Sequence, residues 1–247
     1  MTATKNFKVI GLGGIGAVVA EGLAMFLRAE GKRNTLWLVD GDAYEDGNRD
    51  RVRFQDDANK AVSKARELSE LARFGLTILP IPKFVTPHNV RHLVDDADTV
   101  FLCVDNHSTR RTVSRRCEKI DDVLLISGGN DGIENGQSGT FGNVMVYRRA
   151  GGRDITHPLT RFHPELARPS DKRPDQLGCA ELARSSAPQL VFTNWLVASA
   201  MLATYYSSLT SSLDFEELYL DVLGVKVTSV RRGGPSASSE SGCNLVG

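Results

Sequence analysis

The chain has 247 residues, of which 41% are hydrophobic, and its formal net charge is zero because 30 Lys and Arg balance 30 Asp and Glu. This length suits one α/β domain with appendages, and the neutral balance argues against a wholesale nucleic-acid or anionic-membrane partner. The four cysteines lack metal-ligand spacing, so we expect no zinc site, and the few cysteines and absent signal peptide predict a cytoplasmic protein.

The predicted elements alternate between strand and helix over the first half of the chain. An apolar run at 7–10 precedes a glycine loop, a helix covers 15–28, and a second strand covers 35–39 and ends at Asp40. This order predicts the opening of a Rossmann-like, doubly wound, mostly parallel sheet. The further predicted elements are a helix at 56–73, a strand at 76–81, a short helix at 90–94, a strand at 99–104, a helix at 108–120, and strands at 123–127 and 141–147.

The alternation breaks in the second half of the chain. The stretch 149–178 shows no steady period, and we expect a mobile crossover loop there. The uncharged segment 190–206 is long enough to span a bilayer, but its polar residues favour a buried or interface helix. Residues 217–230 predict a closing antiparallel hairpin. We therefore predict one domain over 1–232, followed by a disordered Ser/Gly-rich tail over 233–247.

The glycine loop is the first candidate binding element. Its glycines let backbone N–H groups approach a phosphate at the start of the following helix; they are Gly11, Gly13, Gly14 and Gly16. Asp40 follows the second strand, where an acid accepts hydrogen bonds from ribose hydroxyls. These two features fit a dinucleotide and ATP equally well.

Three polar residues beyond Asp40 favour ATP over a dinucleotide. Asp42, Asn48 and Arg51 follow in a short polar stretch that dinucleotide-dependent dehydrogenases do not need. An arginine at this place can fork onto phosphate oxygens and stabilise charge during nucleotidyl transfer. Asn48 either binds a phosphate or orients Arg51.

A lysine and an aspartate complete the candidate site. Lys64 carries a compact charge suited to the β- and γ-phosphates, and Lys60, one helical turn earlier, is the competing candidate. Asp105 follows an apolar strand, where a carboxylate can hold the Mg²⁺ that bridges ATP phosphates. The alternative role for Asp105 is to cap the helix that follows.

Together these residues form an ordered pattern. After the Gly-x-Gly-Gly-x-Gly loop come Asp40-x-Asp42, Asn48-x-x-Arg51, Lys64 and Asp105-Asn106-x-x-x-Arg110. This pattern resembles that of the ubiquitin-activating (ThiF/MoeB-type) superfamily, and the resemblance covers nearly the whole chain. The stretch Gly178-Cys179-Ala-Glu181, with Asn194 in the next helix, is most similar to ThiF-like proteins of PRTRC plasmid-type systems.

The resemblance implies adenylation by Mg-ATP. Its expected substrate is the C-terminal glycine of a ubiquitin-like or sulfur-carrier-like protein of the β-grasp type, and the expected assembly is a homodimer. Asp40 would hold the ribose, Asp42 and Asn48 would be further nucleotide-binding residues, Arg51 and Lys64 would neutralise phosphates, and Asp105 would hold Mg²⁺. Some relatives then transfer the acyl group to a cysteine, for which Cys179 is the candidate. The alternative for Cys179 is a buried structural role.

The chain also departs from the family pattern. An arginine that many relatives carry before the glycine loop is missing, Val52 stands where a glutamine is usual, and paired Cys-x-x-Cys zinc ligands are absent. Two other functions therefore stay open: an NAD-dependent oxidoreductase and a catalytically inactive adenylate-binding scaffold. A narrower alternative is RNA binding by a tRNA-modifying relative, which would need a basic face. The basic residues cluster at 110–116 and over 148–173, where they could equally frame a phosphate site or meet a partner's acidic surface.

Overall fold

The computed structural model describes residues 4–50, 52–56, 58–133, 138–177 and 189–233. The described strands are β1 (Lys5–Ile10), β2 (Asn34–Val39), β3 (Leu76–Ile81), β4 (Asp98–Leu102), β5 (Val123–Asn130), β6 (Phe141–Ala150), β7 (Arg153–Asp154), β8 (Glu217–Asp221) and β9 (Lys226–Val230). The described α-helices are α1 (Gly14–Glu30), α2 (Lys60–Glu67), α3 (Val90–Leu93), α4 (His107–Cys117), α5 (Pro164–Ala167) and α6 (Val191–Leu209). Short 3₁₀ helices cover Asp46–Asn48, Ser69–Leu71 and Pro174–Gln176.

The strands form one sheet in the order β3-β2-β1-β4-β5-β6-β8-β9, with β7 paired to β6. Strands β1 to β5 run parallel, and the pairs β5–β6, β6–β8 and β8–β9 are antiparallel. The carboxyl ends of β2, β1, β4 and β5 therefore meet at one edge, where β6 begins and β8 ends. This topology confirms the predicted Rossmann-like sheet with its closing antiparallel hairpin.

Helices cover both faces of the sheet. On one face α1 packs beside α6, and the ring of Tyr205 meets that of Phe7 edge-on at 5.6 Å. On the other face α3 and α4 cover a second cluster that includes Val113 and Leu125. Burying each large aliphatic side chain contributes about 1.5–3 kcal/mol, so the two clusters hold the sheet edge in place.

Helix α2 is shorter than the helix predicted over 56–73. Asn59 caps it, since its Oδ1 accepts hydrogen bonds from the backbone N–H of Ala61 at 3.0 Å and of Val62 at 3.3 Å. A cap of this kind satisfies free N–H groups and sets the first turn of the helix. At its other end α2 stops at Glu67, and the chain continues as the 3₁₀ helix Ser69–Leu71.

Strand β5 runs three residues further than predicted because its glycines have a packing role. A Cβ on Gly128 would lie 2.2 Å from Sδ of Met201, so α6 can approach the sheet only where this side chain is missing. Two glycines in succession otherwise indicate a turn, which is why the sequence pattern placed the strand end at residue 127.

The apolar segment 190–206 became α6, which packs on β5, β6 and α1. Among the described residues, no helix has both the length and the apolar character needed to cross a membrane. The described part of the predicted crossover loop contains β7 and α5, and two of its side chains reach the sheet. His157 Nδ1 lies 3.0 Å from Oε2 of Glu216, and His163 Nε2 lies 3.1 Å from Oε1 of Glu217.

Candidate active site at the carboxyl edge of the sheet

A cavity of about 630 Å³ runs along the carboxyl edge of the sheet. It is lined by residues at the ends of β2, β1, β4 and β5, at the start of β6 and on β8. Six strands at a spacing of about 4.8 Å give this row a length of about 24 Å. Open α/β sheets bind ligands at this edge, so the cavity is the candidate site.

The glycine loop forms one wall of the cavity. Gly11 has a positive φ of 88°, and its N–H donates to the carbonyl of Val39 at 2.9 Å. A Cβ on Gly16 would lie 1.8 Å from the carbonyl oxygen of Gly11, so this glycine lets α1 pack against the loop. Gly13 and Gly14 line the cavity itself, at the N-terminus of α1.

Asp40 is joined to the loop by hydrogen bonds. One carboxylate oxygen accepts from the N–H of Leu12 at 2.7 Å, and the other accepts from the N–H of Asp42 at 2.9 Å. Burial raises the pKa of Asp40, against the opposing charge of Lys60 and these two N–H groups. Asp40 lines the cavity, and each of its oxygens can accept a second hydrogen bond, which suits a ribose hydroxyl.

Lys60 lies at the cavity beside Asp42. Its Nζ is 2.6 Å from Oδ2 of Asp42, and both residues line the cavity. Asn59 fixes this arrangement, because its side-chain amide donates to the carbonyls of Asp40 and Asp42 at 3.0 and 2.9 Å. The chain leaving β2 is thereby tied to the start of α2.

Lys64 lies elsewhere. It is buried, does not line the cavity, and its Nζ forms an ion pair with the carboxylate of Glu67 one turn later. The structure therefore separates the two candidate lysines and brings Lys60, not Lys64, to the candidate site.

The polar stretch after Asp42 is held by an aromatic anchor. Tyr44 is buried, stacks on Phe54 with a ring distance of 4.5 Å, and donates its hydroxyl to the carbonyl of Leu12 at 3.1 Å. Asn48 lines the cavity, and its Oδ1 accepts from the N–H of Glu45 at 3.2 Å. Arg51 lies outside the described residues.

The two roles considered for Asp105, metal binding and helix capping, fall on different residues. Asn106 caps α4, since its Oδ1 accepts from the N–H of Thr109 at 2.8 Å. Asp105 is exposed and lines the cavity, and in the described part of the chain its carboxylate has no hydrogen bond or ion pair. Its oxygens are thus available to a ligand.

No group of three or more His, Cys, Asp or Glu side chains among the described residues could hold a metal ion by itself. A metal at Asp105 would therefore take further ligands from a bound phosphate and from water. Mg²⁺ is held in this way in many nucleotide sites, by one or two carboxylates together with substrate phosphates. Cys179, the candidate nucleophile, lies outside the described residues.

Two further features at the cavity had no assigned role in the sequence pattern. The first is the buried guanidinium of Arg110, which donates a hydrogen bond to the carbonyl of Gly128 on β5. Three amides form a chain in which Asn130 donates to Asn194 at 2.9 Å and Asn194 donates to Gln189 at 3.3 Å. Arg110 belongs to the quoted motif and Asn194 stands out in an apolar helix, but their contacts depend on tertiary packing.

Comparison with known proteins places this geometry in a family. The sequence profile of the ThiF family matches residues 3–220. Adenylyltransferase and sulfurtransferase MOCS3 of Drosophila sechellia is 31% identical over 124 residues, which are 47% of this chain and 25% of that protein. The chain thus corresponds to about a quarter of the length of this curated relative.

Solved structures show the same fold. PaaA superposes with a TM-score of 0.64 at 18% identity, covering 92% of this chain and 72% of PaaA. MccB of E. coli, solved with ATP, gives a TM-score of 0.66 at 18% identity, covering 94% of this chain and 64% of MccB. The profile match over residues 3–220 confirms the family resemblance that was inferred from the order of the polar residues.

Proposed function

Since the chain belongs to the ThiF family, we propose that it uses Mg-ATP to adenylate a carboxylate, as an adenylyltransferase of the ubiquitin-activating type. One observation carries the proposal: a single cavity joins a nucleotide-type half, at β2, β1 and β4, to a second half at β5, β6 and β8. The second half provides room for a carboxylate substrate beside the nucleotide.

In the nucleotide half, the contacts proposed for Gly13, Gly14, Asp40 and Lys60 are supported by their positions at the cavity. The N–H groups at Gly13 and Gly14 approach phosphate oxygens at the start of α1. Asp40 accepts the ribose hydroxyls with its remaining lone pairs. Lys60, which has two N–H donors left beside its bond to Asp42, takes the phosphate role first assigned to Lys64. Arg51 is kept as a second phosphate ligand because of its place in the motif.

Asp105 is the proposed Mg²⁺ ligand. It is an oxygen ligand without a partner among the described residues, at the end of the central strand β4, which fits a cation held together with phosphates. When bound, Mg²⁺ supplies charge neutralisation at the phosphates.

In the second half we propose that an extended C-terminal peptide binds. Phe141 and Tyr219 line this part of the cavity and are 54% and 42% exposed, so they offer apolar contact to a peptide chain. A C-terminal glycine of a ubiquitin-like protein is the proposed substrate, and the proposed second step is attack of the Cys179 thiolate on the acyl-adenylate, which forms a thioester and releases AMP. A homodimer stays a prediction from the resemblance, to be measured by light scattering.

The proposed reaction needs positioning and electrostatics rather than a base. A carboxylate oxygen forms a bond to the α-phosphorus as the bond from that phosphorus to the β-phosphate bridging oxygen breaks. Pyrophosphate leaves with the electron pair, and no proton moves because the carboxylate is already ionised. Lys60 and the helix N-terminus stabilise the charge that builds on the phosphates.

A thermal-shift titration with Mg-ATP, magnesium-free ATP and NAD, on the wild type and on Asp105→Ala, tests the proposal. A ligand at a hundredfold its dissociation constant adds about 2.7 kcal/mol of stability. We expect Mg-ATP to stabilise the wild type most, and Asp105→Ala to lose the part that depends on Mg²⁺.

Glu70→Ala is the control, because Glu70 is an exposed carboxylate outside the cavity lining. It should respond to Mg-ATP as the wild type does. Stabilisation by NAD alone would refute adenylation in favour of an oxidoreductase. Binding of Mg-ATP without pyrophosphate exchange against any glycine-ended partner would favour an inactive scaffold.

A further inference from the structure

Arg110 is a charged side chain buried in the floor of the cavity. Only 5% of its surface is exposed, yet it lines the cavity between the ends of β4 and β5. Its Nε donates to the carbonyl of Val104 at 3.0 Å, Nη1 to Oγ of Ser127 at 2.9 Å, and Nη2 to the carbonyl of Gly128 at 2.7 Å. A guanidinium has five N–H donors, so one remains on each terminal nitrogen.

These three partners are all neutral. In the described part of the chain, no carboxylate lies within 4.0 Å of the Arg110 guanidinium. Burial lowers the pKa of Arg110, and the charges of Asp105 and Asp171 act on it only from a greater distance. Buried charges in proteins are normally paired, because desolvating an unpaired ion costs several kcal/mol.

The sheet is shaped around this guanidinium. A Cβ on Gly129 would lie 2.6 Å from Nη2 of Arg110, so a side chain at this position would have to displace the guanidinium. The niche therefore holds an oriented cation that lines the cavity and has two N–H donors without a partner among the described residues. A site of this kind lacks one component, an anion.

The position of Arg110 selects the anion. The proposed phosphate ligand Lys60 lies on α2 and the proposed Mg²⁺ ligand Asp105 follows β4, whereas two of the three hydrogen bonds of Arg110 go to β5. Arg110 is therefore on the side of the cavity from which the acyl substrate enters. Two adjacent N–H donors of a planar fork also match the two oxygens of a carboxylate.

We infer that Arg110 binds the carboxylate of the acyl substrate and holds it against the α-phosphorus. This inference rests on the proposed function. Arg110 touches the reacting carboxylate in this arrangement and so is a catalytic residue, with Gly129 and Ser127 fixing its orientation.

The test measures nucleotide and carboxylate binding separately. The wild type, Arg110→Gln and Arg110→Lys are loaded with Mg²⁺ and α,β-methylene-ATP, which does not release pyrophosphate, and glycylglycine is titrated by calorimetry. Glycylglycine amide, which lacks the carboxylate, is the ligand control. Arg111→Gln, the same substitution at the exposed neighbour on α4, is the protein control.

We expect Arg110→Gln to bind the nucleotide within about threefold of the wild type and to weaken glycylglycine binding by at least about tenfold, with Arg110→Lys intermediate. Arg111→Gln should match the wild type. A merely structural arginine would instead weaken both ligands together, and Arg110→Lys keeps the test available if Arg110→Gln does not fold.

Three results would overturn the inference. The first is equal binding of glycylglycine and glycylglycine amide. The second is loss of nucleotide affinity alone in Arg110→Gln, which would assign Arg110 to the α-phosphate. The third is absence of glycylglycine binding to the nucleotide-loaded wild type. If the wild type fails to bind Mg-α,β-methylene-ATP at all, the proposed function itself is wrong. The two failures are therefore distinguishable.

Discussion

Two glycines of the same loop have opposite surroundings. A Cβ on Gly16 would lie 1.8 Å from a backbone oxygen, whereas a Cβ on Gly13 would meet nothing within 4 Å. We expect Gly16→Ala to cost about 3 kcal/mol or more in unfolding free energy, because backbone must move. Gly13→Ala should change it by less than about 0.5 kcal/mol.

Although Gly13→Ala should leave the unfolding free energy nearly unchanged, we expect it to weaken nucleotide binding. Its added methyl group would occupy the space through which the loop approaches a phosphate, so we expect the Mg-ATP dissociation constant to rise about tenfold. Urea unfolding and calorimetry measure the two effects. Unchanged Mg-ATP affinity in Gly13→Ala would show that phosphates do not bind at this loop.

Substitutions of the two lysines of α2 should likewise differ, one affecting nucleotide affinity and the other stability. Lys60→Ala removes a donor at the cavity, and we expect an approximately tenfold loss of Mg-ATP affinity with little change in stability. Lys64→Ala removes the ion-pair partner of Glu67, whose side chain is only 15% exposed, and should cost about 3 kcal/mol of unfolding free energy. Calorimetry and urea unfolding on both variants measure this, and loss of affinity in Lys64→Ala alone would restore the role first predicted for it.

At the residue scale, the positions that follow directly from sequence are those just after strands. Asp40 and Asp105 line the cavity because the ends of parallel strands meet at one edge, which follows from strand order alone. The choice between Lys60 and Lys64 depends on where α2 begins, and that depends on the Asn59 cap. The unpaired charge of Arg110 is invisible in sequence, since pairing is a property of the folded neighbours.

At the scale of elements, Glu217 on β8 joins the crossover segment to the end of the hairpin. It accepts hydrogen bonds from Arg232 at 2.8 and 3.1 Å and from Tyr219 at 2.7 Å, and lies 3.1 Å from His163. Burial alone would raise the pKa of Glu217, but these partners outweigh it and lower the pKa from 4.5 to about 2. A depressed carboxylate pKa stabilises the fold above the unfolded-state value and loses that contribution as pH falls.

We therefore expect Glu217→Gln to lower the unfolding free energy by an amount on the order of 3 kcal/mol at pH 7, with a gap that narrows below about pH 4.5. Urea unfolding of both proteins across this pH range measures the gap. Glu165→Gln is the control, because Glu165 meets the other nitrogen of His163 with a half-exposed carboxylate and should change stability little. A gap independent of pH would mean that the charge of Glu217 is not what stabilises the segment.

Element boundaries were predicted well where local chemistry determined them and poorly where packing did. The strand at 76–81 and the turn between β8 and β9 lie where periodicity and Gly224 placed them. The glycines of β5 belong to a strand because α6 approaches the sheet there. The contacts of His157 and His163 with the sheet depend on residues more than fifty positions away, which local patterns do not contain.

At the scale of the whole molecule, strand order and direction determine the shape of the site. Alternation of strand and helix is enough to predict a parallel sheet, which the fold confirms, and a ligand edge, at which the structure has a cavity. The switch to antiparallel pairing after β5 is what extends the cavity past the nucleotide half, because β6 starts and β8 ends at that same edge. The sequence pattern predicted the hairpin of β8 and β9. That β8 pairs with β6 is seen only in the folded sheet, because local patterns do not specify which strands pair.

The two halves of the cavity predict two patterns of amide hydrogen exchange. Mg-α,β-methylene-ATP should slow exchange at 11–17, 39–45 and 103–110, because these backbone segments surround the proposed nucleotide. Residues 141–145 and 217–221 should keep their rates, since that half is reserved for the acyl substrate. Mass-spectrometric exchange with and without the nucleotide measures this, and Asp105→Ala in the same experiment should weaken the protection at 103–110. Protection of 141–145 by the nucleotide alone would mean that one ligand fills the whole cavity, and a carboxylate substrate would then have no place beside the α-phosphate.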